Sequence, residues 1–150
     1  MGNLTFEKHI NAPIEHVYQR ALDLENWPEQ IEAIVAVEKL SEGPVGNGTK
    51  FTETRVMFGK EHAETMTFAD VVPNKSYTLV CDSCGVHYES THTLIPENGG
   101  TTLRMEMSSK PYKLSSKIMS PVMGLFMKGT MKKMINKDFD DLARACEAEG

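Results

Sequence analysis

Residues 32–109 hold six runs of period-two alternation: "EAIVAVEKL", "GTKFTETRVMF", "KEHAETMTFADVV", "KSYTLVCD", "VHYESTHTLI" and "TTLRMEMSS". Such alternation fits strands with one buried face. The segments between them, "SEGPVGNG", "FGK", "PN", "SCG" and "PENGG", are rich in turn-forming residues. Strands joined by connections this short pair antiparallel, because a parallel crossover needs about a dozen residues or more. "LTFEKHI" near the N-terminus alternates more weakly and adds a seventh strand.

The flanking segments follow a different period. "NAPIEHVYQRALDLENW" has Pro13 in a first helical turn and Ile14, Val17, Tyr18, Ala21 and Leu22 at helical spacing. This helix is expected to end at Trp27-Pro28, with "EQI" forming a short second helical turn. After Pro111 the period returns to 3.6, and a long helix is predicted to run to about Glu147, kinked at Pro121 and loosened at Gly124 and Gly129. A sheet must cover one face, and only this last helix is large enough to do so. The predicted class is therefore α+β. A seven-stranded curved antiparallel sheet wraps around a long C-terminal helix, with two short helices between strands 1 and 2. A sheet gripping one helix encloses space.

Residues 1–150 read as one domain. The formal net charge of −5 argues against a nucleic-acid partner, which needs a concentrated basic face. Lys128, Lys132, Lys133 and Lys137 read as the wet side of a helix. No apolar run approaches the roughly 20 residues of a membrane span, so stable membrane insertion is not expected. "MGNLTFEKHI" lacks the apolar core of a signal peptide, and the cytoplasm is the expected compartment. Three cysteines do not suggest a disulfide framework there.

Strand parity identifies residues that face the enclosed space. If the turn falls at Gly59 with Phe58 or Lys60, then Met57 lies opposite His62, Arg55 opposite Glu64, Glu53 opposite Met66, and Phe51 opposite Phe68. All eight share one face, and its bulk and apolarity assign it to the interior. Thr52, Thr54, Val56, Ala63, Thr65 and Thr67 form the solvated face. Charges do not enter an interior without partners. Three readings are open: a half-wet Arg55–Glu64 pair at the rim, an anchor in which Arg55 donates to a ligand's carboxylate, hydroxyl or carbonyl, or acid/base work by His62 and Glu64. Tyr77, Leu79 and Cys81, then Tyr88, Ser90, His92 and Leu94, then Leu103, Met105 and Met107 follow matching parities. His92 is either a satisfied core histidine or a further acid/base candidate.

"MSPVMGLFMKGTMKKM" contains five of the ten methionines, with Met123, Met127 and Met131 on one side of a helix beside Phe126. Met134, Ile135, Phe139, Leu142 and Cys146 continue that side. Such residues fill gaps in a dry core or form a wall that repacks around varied apolar shapes. An exposed apolar patch could instead dock on a partner or membrane surface.

"CDSCG" spaces Cys81 and Cys84 as Cys-x-x-Cys, but a zinc site needs two more ligands, and a redox motif belongs at a helix start. No metal and no cofactor is expected. "GPVGNGTK" lies between two strands, without the helix N-terminus that would hold a phosphate.

Four stretches also carry a family resemblance: "INAPIEHVYQRALDLENWPEQI", "GPVGNGTKF", "NGGTTLRMEM" and the terminal "FDDLARACEAEG". In their order along essentially the whole chain, the sequence resembles the START/Bet v 1-like superfamily, also called SRPBCC, and within it the bacterial polyketide-cyclase-like branch. The resemblance implies the helix-grip fold. It also implies a range of activities, since members bind lipids, sterols, polyketides or hormones and some are cyclases or dehydratases. Fold alone does not choose among these.

The expected function is binding of a small hydrophobic ligand (lipid, polyketide-like or aromatic) between the sheet and the C-terminal helix. The expected contact residues are Phe51, Arg55, Met57, His62, Glu64, Met66, Phe68, Tyr88, His92, Met105, Met107, Met123, Phe126, Met127 and Met131. The alternatives are a cyclase or dehydratase using His62, Glu64 or His92, and a chaperone-like interaction protein whose Met-rich segment meets a client.

Overall fold

The computed structural model describes residues 3–57, 59–83, 85–111 and 132–147. The elements follow the order β1 (Asn3–Ile10), α1 (Ile14–Ala21), a 3-10 turn (Leu24–Asn26), α2 (Trp27–Gln30), β2 (Ile34–Lys39), β3 (Lys50–Met57), β4 (Lys60–Val72), β5 (Ser76–Ser83), β6 (Val86–Glu97) and β7 (Gly100–Pro111). A last helix, α3, occupies residues 132–147. The sheet order is β1-β7-β6-β5-β4-β3-β2, antiparallel throughout, so β2 to β7 form a meander and β1 joins beside β7. This is the expected helix-grip architecture.

Turn chemistry sets the hairpins. Asn98 and Gly99 both have positive φ, 50° and 76°, the primed geometry that suits a two-residue turn between paired Glu97 and Gly100. Two irregularities bend the sheet. Register shifts between Ile34 and Ala36 where β2 meets β3, and between Ala69 and Val72 where β4 meets β5. An extra residue in one strand increases local twist and curvature.

The β3–β4 register differs from the sequence-based pairing by two residues. Phe51 pairs with Met66, Glu53 with Glu64, Arg55 with His62 and Met57 with Lys60, because the turn is tighter than anticipated. An even shift leaves side chains on the same face, so the interior set keeps its parity. The first helix also ends earlier than expected, at Ala21. Trp27 and Pro28 open α2 rather than closing α1, since proline is well suited to a first helical turn. Trp27 is held in place by donating its Nε1–H to the Ala21 carbonyl at 3.2 Å.

α3 presents Ile135, Phe139, Leu142, Ala143 and Cys146 to the core, where they join Phe6, Ile10, Val17 and Leu103. Its position is fixed by charge. Asp141 is 2% exposed, accepts the Glu32 amide N–H at 3.1 Å, and is flanked by Lys137 and by Arg144 at 3.2 Å. Burial disfavours the ionised form, but these partners outweigh it and hold the carboxyl below its ordinary range. Glu147 accepts the Asn11 amide N–H at 3.0 Å, tying the far end of α3 to the β1–α1 corner.

Replacing Asp141 with Ala leaves the Glu32 amide unpaired, and urea unfolding should show a loss of about 2 kcal/mol. A loss below about 0.5 kcal/mol would show that apolar contacts alone position α3. Gly100→Ala should cost about 2 kcal/mol in the same assay, because its Cβ would stand 2.4 Å from the Ile10 backbone oxygen.

Candidate ligand-binding cavity

The concave face of the sheet and α3 do not meet along their whole length. A cavity of about 470 Å³ lies between them. Most of its wall is apolar. β4 and β5 supply Met66, Leu79 and Cys81, β7 supplies Leu103, Met105 and Met107, and α3 supplies Met134, Ile135, Phe139 and Leu142. Ala21, Trp27, Ile31 and Ile34 close the side formed by the short helices and β2. The alternation of each strand explains the selection, since Leu103, Met105 and Met107 are two apart, as are Tyr88, Ser90 and His92.

The parity argument placed these residues well, with exceptions. Arg55, His62, Glu64, Met66, Tyr88, His92, Met105 and Met107 all line the cavity. Phe51 and Phe68 do not. Both are fully buried in an aromatic row running from Trp27 through Phe51, Phe68 and Tyr77 to His92, with successive ring centroids 4.6–5.8 Å apart. Their side of the sheet is correct, but they lie toward the packed end, where the helices leave no space. His62 is exposed although it lines the cavity, so it stands at the rim. The side chain of Met57, and Met123, Phe126, Met127 and Met131, lie outside the described residues, as do Cys84 and the proposed kink at Pro121.

The polar end was not foreseen in its actual form. Arg55 does not pair with Glu64. Its Nη2 donates to Glu53 Oε1 at 2.7 Å and its Nη1 to Asp138 Oδ2 at 2.9 Å, so one guanidinium joins β3 to α3. Glu53 and Arg55 are two apart on one strand face, which puts them side by side. Asp138 is 83 residues further along the chain, beyond any local pattern. It sits one turn before Leu142 on the side of α3 that faces the sheet.

Burial divides these groups unequally. The side chains of Arg55, Asp138 and Glu53 are 15%, 16% and 6% exposed. Desolvation alone would lower the Arg55 pKa, but the two carboxylates outweigh it and raise the value. For Asp138 desolvation dominates. It lifts the carboxyl to about 6 against the pull of Arg55, with a further push from Glu53. Asp138 Oδ1 is buried and has no hydrogen-bond partner. Cys81 donates to Glu64 Oε2 at 3.7 Å, and burial first, then Glu64, pushes the thiol up to about 12, leaving it a poor nucleophile. His92 is 8% exposed and stacks on Tyr77 with the rings 10° from parallel. Burial lowers its pKa to about 4, so it is a neutral imidazole at pH 7. Among the described residues no cluster of three potential ligands could hold a metal ion.

A seven-stranded sheet gripping a C-terminal helix over a largely apolar hollow defines a helix-grip protein. More narrowly, the chain belongs to the polyketide cyclase / dehydrase and lipid transport family, whose model matches residues 1–147. No curated protein matches the sequence. Among solved structures, TTHA0849 from Thermus thermophilus is 18% identical over 99% of both chains, with a TM-score of 0.81. A START superfamily protein from Mycobacterium smegmatis is 14% identical over 99% of both chains, with a TM-score of 0.79. The di-domain ARO/CYC StfQ from the steffimycin biosynthetic pathway is 14% identical over 98% of this chain and 50% of its own, with a TM-score of 0.77. At these identities the likeness is one of fold.

Neutral burial of His92 has a pH consequence. Its folded pKa lies below the unfolded value, so its contribution to stability is complete above about pH 6.5 and is lost as pH falls through 4. Asp138 works oppositely. Its folded value is raised, so its contribution is present below about pH 4 and is lost as pH rises through 6. His92→Phe keeps a ring on Tyr77 and removes the first titration. Relative to its effect at pH 8, this variant should gain about 2 kcal/mol of stability over wild type at pH 5. Urea unfolding at both pH values checks this, and an effect independent of pH would contradict neutral burial.

Proposed function

We propose that this protein binds a small, predominantly apolar molecule in the cavity between the sheet and α3. The observation that carries the reading is the hollow itself, about 470 Å³ with mainly apolar walls and a few polar groups gathered at one end. Cavities of this size and character suit small-molecule ligands. Affinity would come from removing apolar surface from water, at about 25 cal/mol per Å². Met66, Met105, Met107 and Met134 give part of the wall side chains that repack easily. Family membership supports an apolar ligand class without selecting one.

The enzyme alternative gains little from the site. A histidine with a pKa near 4 is a weak base at neutral pH, and the Cys81 thiol is held protonated. The cavity suits holding better than proton transfer. The chaperone-like alternative rested on the Met-rich segment, most of which lies outside the described residues. No described helix is long and apolar enough to cross a membrane.

Titrating the protein with 1-decanol, followed by calorimetry and by the fluorescence of Trp27 in the cavity wall, tests the proposal. Saturable one-to-one binding is expected. Ser90→Phe, which projects a ring into the hollow, should weaken it at least tenfold while leaving the fold intact by circular dichroism. Absence of saturable binding to wild type, or equal binding by the filled variant, would rule out this cavity as the site.

A further inference from the structure

Among the described residues, two carboxylates, Glu53 and Asp138, share one guanidinium, Arg55, at the polar end of the cavity. Both terminal nitrogens of that guanidinium already face carboxylates, one on β3 and one on α3. An incoming ligand carboxylate would therefore meet Glu53 and Asp138 at close range and would have to displace one of them from Arg55. The sequence-based expectation that Arg55 anchors a ligand's acid group does not fit this geometry.

One acceptor in this group is left over. Asp138 uses Oδ2 on Arg55, while Oδ1 is buried with no partner. A buried, unsatisfied carboxylate oxygen is costly, and the cost is removed by an N–H or O–H delivered to it. Across the same cavity, on β6, His92 is more than nine-tenths buried and also has a ring nitrogen, Nδ1, without a partner.

We propose that the polar end of the cavity is a subsite for a protonated amine, donating to Asp138 Oδ1, so that the molecule taken is a cationic amphiphile rather than a fatty acid or other carboxylate. One ammonium brings the Glu53–Arg55–Asp138 group to neutrality and fills the missing hydrogen bond, while the apolar part lies along the methionine and leucine wall. A charge-assisted hydrogen bond of this kind is worth about a tenfold preference or more over a neutral hydroxyl. The inference rests on the cavity being a ligand site, and the test separates the two.

Three probes with the same ten-carbon chain, decylamine, 1-decanol and decanoate, are titrated into the full-length protein at pH 7.5 and followed by calorimetry. Decylamine should bind about tenfold tighter than 1-decanol, and decanoate weakest of the three. Asp138→Asn should bring decylamine within about threefold of 1-decanol, with circular dichroism reporting that the variant is folded. Equal binding of all three probes, or decanoate matching decylamine, overturns the amine subsite but leaves the cavity as a ligand site. Failure of all three overturns both. If Asp138→Asn also loses 1-decanol, the wild-type ratio of decylamine to decanoate decides alone.

Discussion

One guanidinium between two carboxylates holds the sheet and α3 in relation to each other at the point where they do not touch. Arg55 reaches across from β3, Asp138 meets it from the helix, and Glu53 steadies it from its own strand. Apolar side chains at these positions would let helix and sheet close on one another. A desolvated ionic group resists such closure because none of its members can be buried without the others. The hollow and its chemistry both follow from this bridge. The same residues that hold the interior open also give it an acidic end.

The remaining structure can be ordered around that bridge. Further along α3, Asp141 and Glu147 bind the Glu32 and Asn11 amides, Cys146 is packed into the core, and Phe139 and Leu142 are buried along the cavity wall. The aromatic row from Trp27 to His92 fills the sheet on the side where the short helices lie. The interior is thus close-packed around Phe51 and Phe68 and hollow beside them.

Much of this was legible in the sequence. Six alternating runs with turn residues between them mark β2 to β7, and the spacing of Phe139, Leu142 and Cys146 marks the buried side of the last helix. Parity also identified the inward face of β3 and β4, and an even register error did not disturb it. The less legible features are those set by distance in space. Nothing near Arg55 in sequence announces Asp138, so Glu64 or a ligand stood as the expected partner of a guanidinium that Glu53 and Asp138 share. Phe51 and Phe68 follow the same alternation as Glu53 and Met66, and periodicity cannot tell a packed level of a sheet from a hollow one. The boundary at Trp27 was lost because proline both stops and starts helices, and only the Trp27 hydrogen bond to Ala21 shows which.

The strand order carries a consequence for how the chain reaches this state. From β2 to β7 every neighbour in the sheet is also the next strand in the chain, so each hairpin can zip onto the last with little loop to close. β1 is different. It pairs with β7, aligning Phe6 with Met105 across about two-thirds of the chain. Its docking and that of α3 are the long-range steps, and these cost the most conformational freedom before they are rewarded. The meander is therefore a scaffold that can precede its own interior, and the two chain ends arrive as latches. The hollow comes into being only when they close.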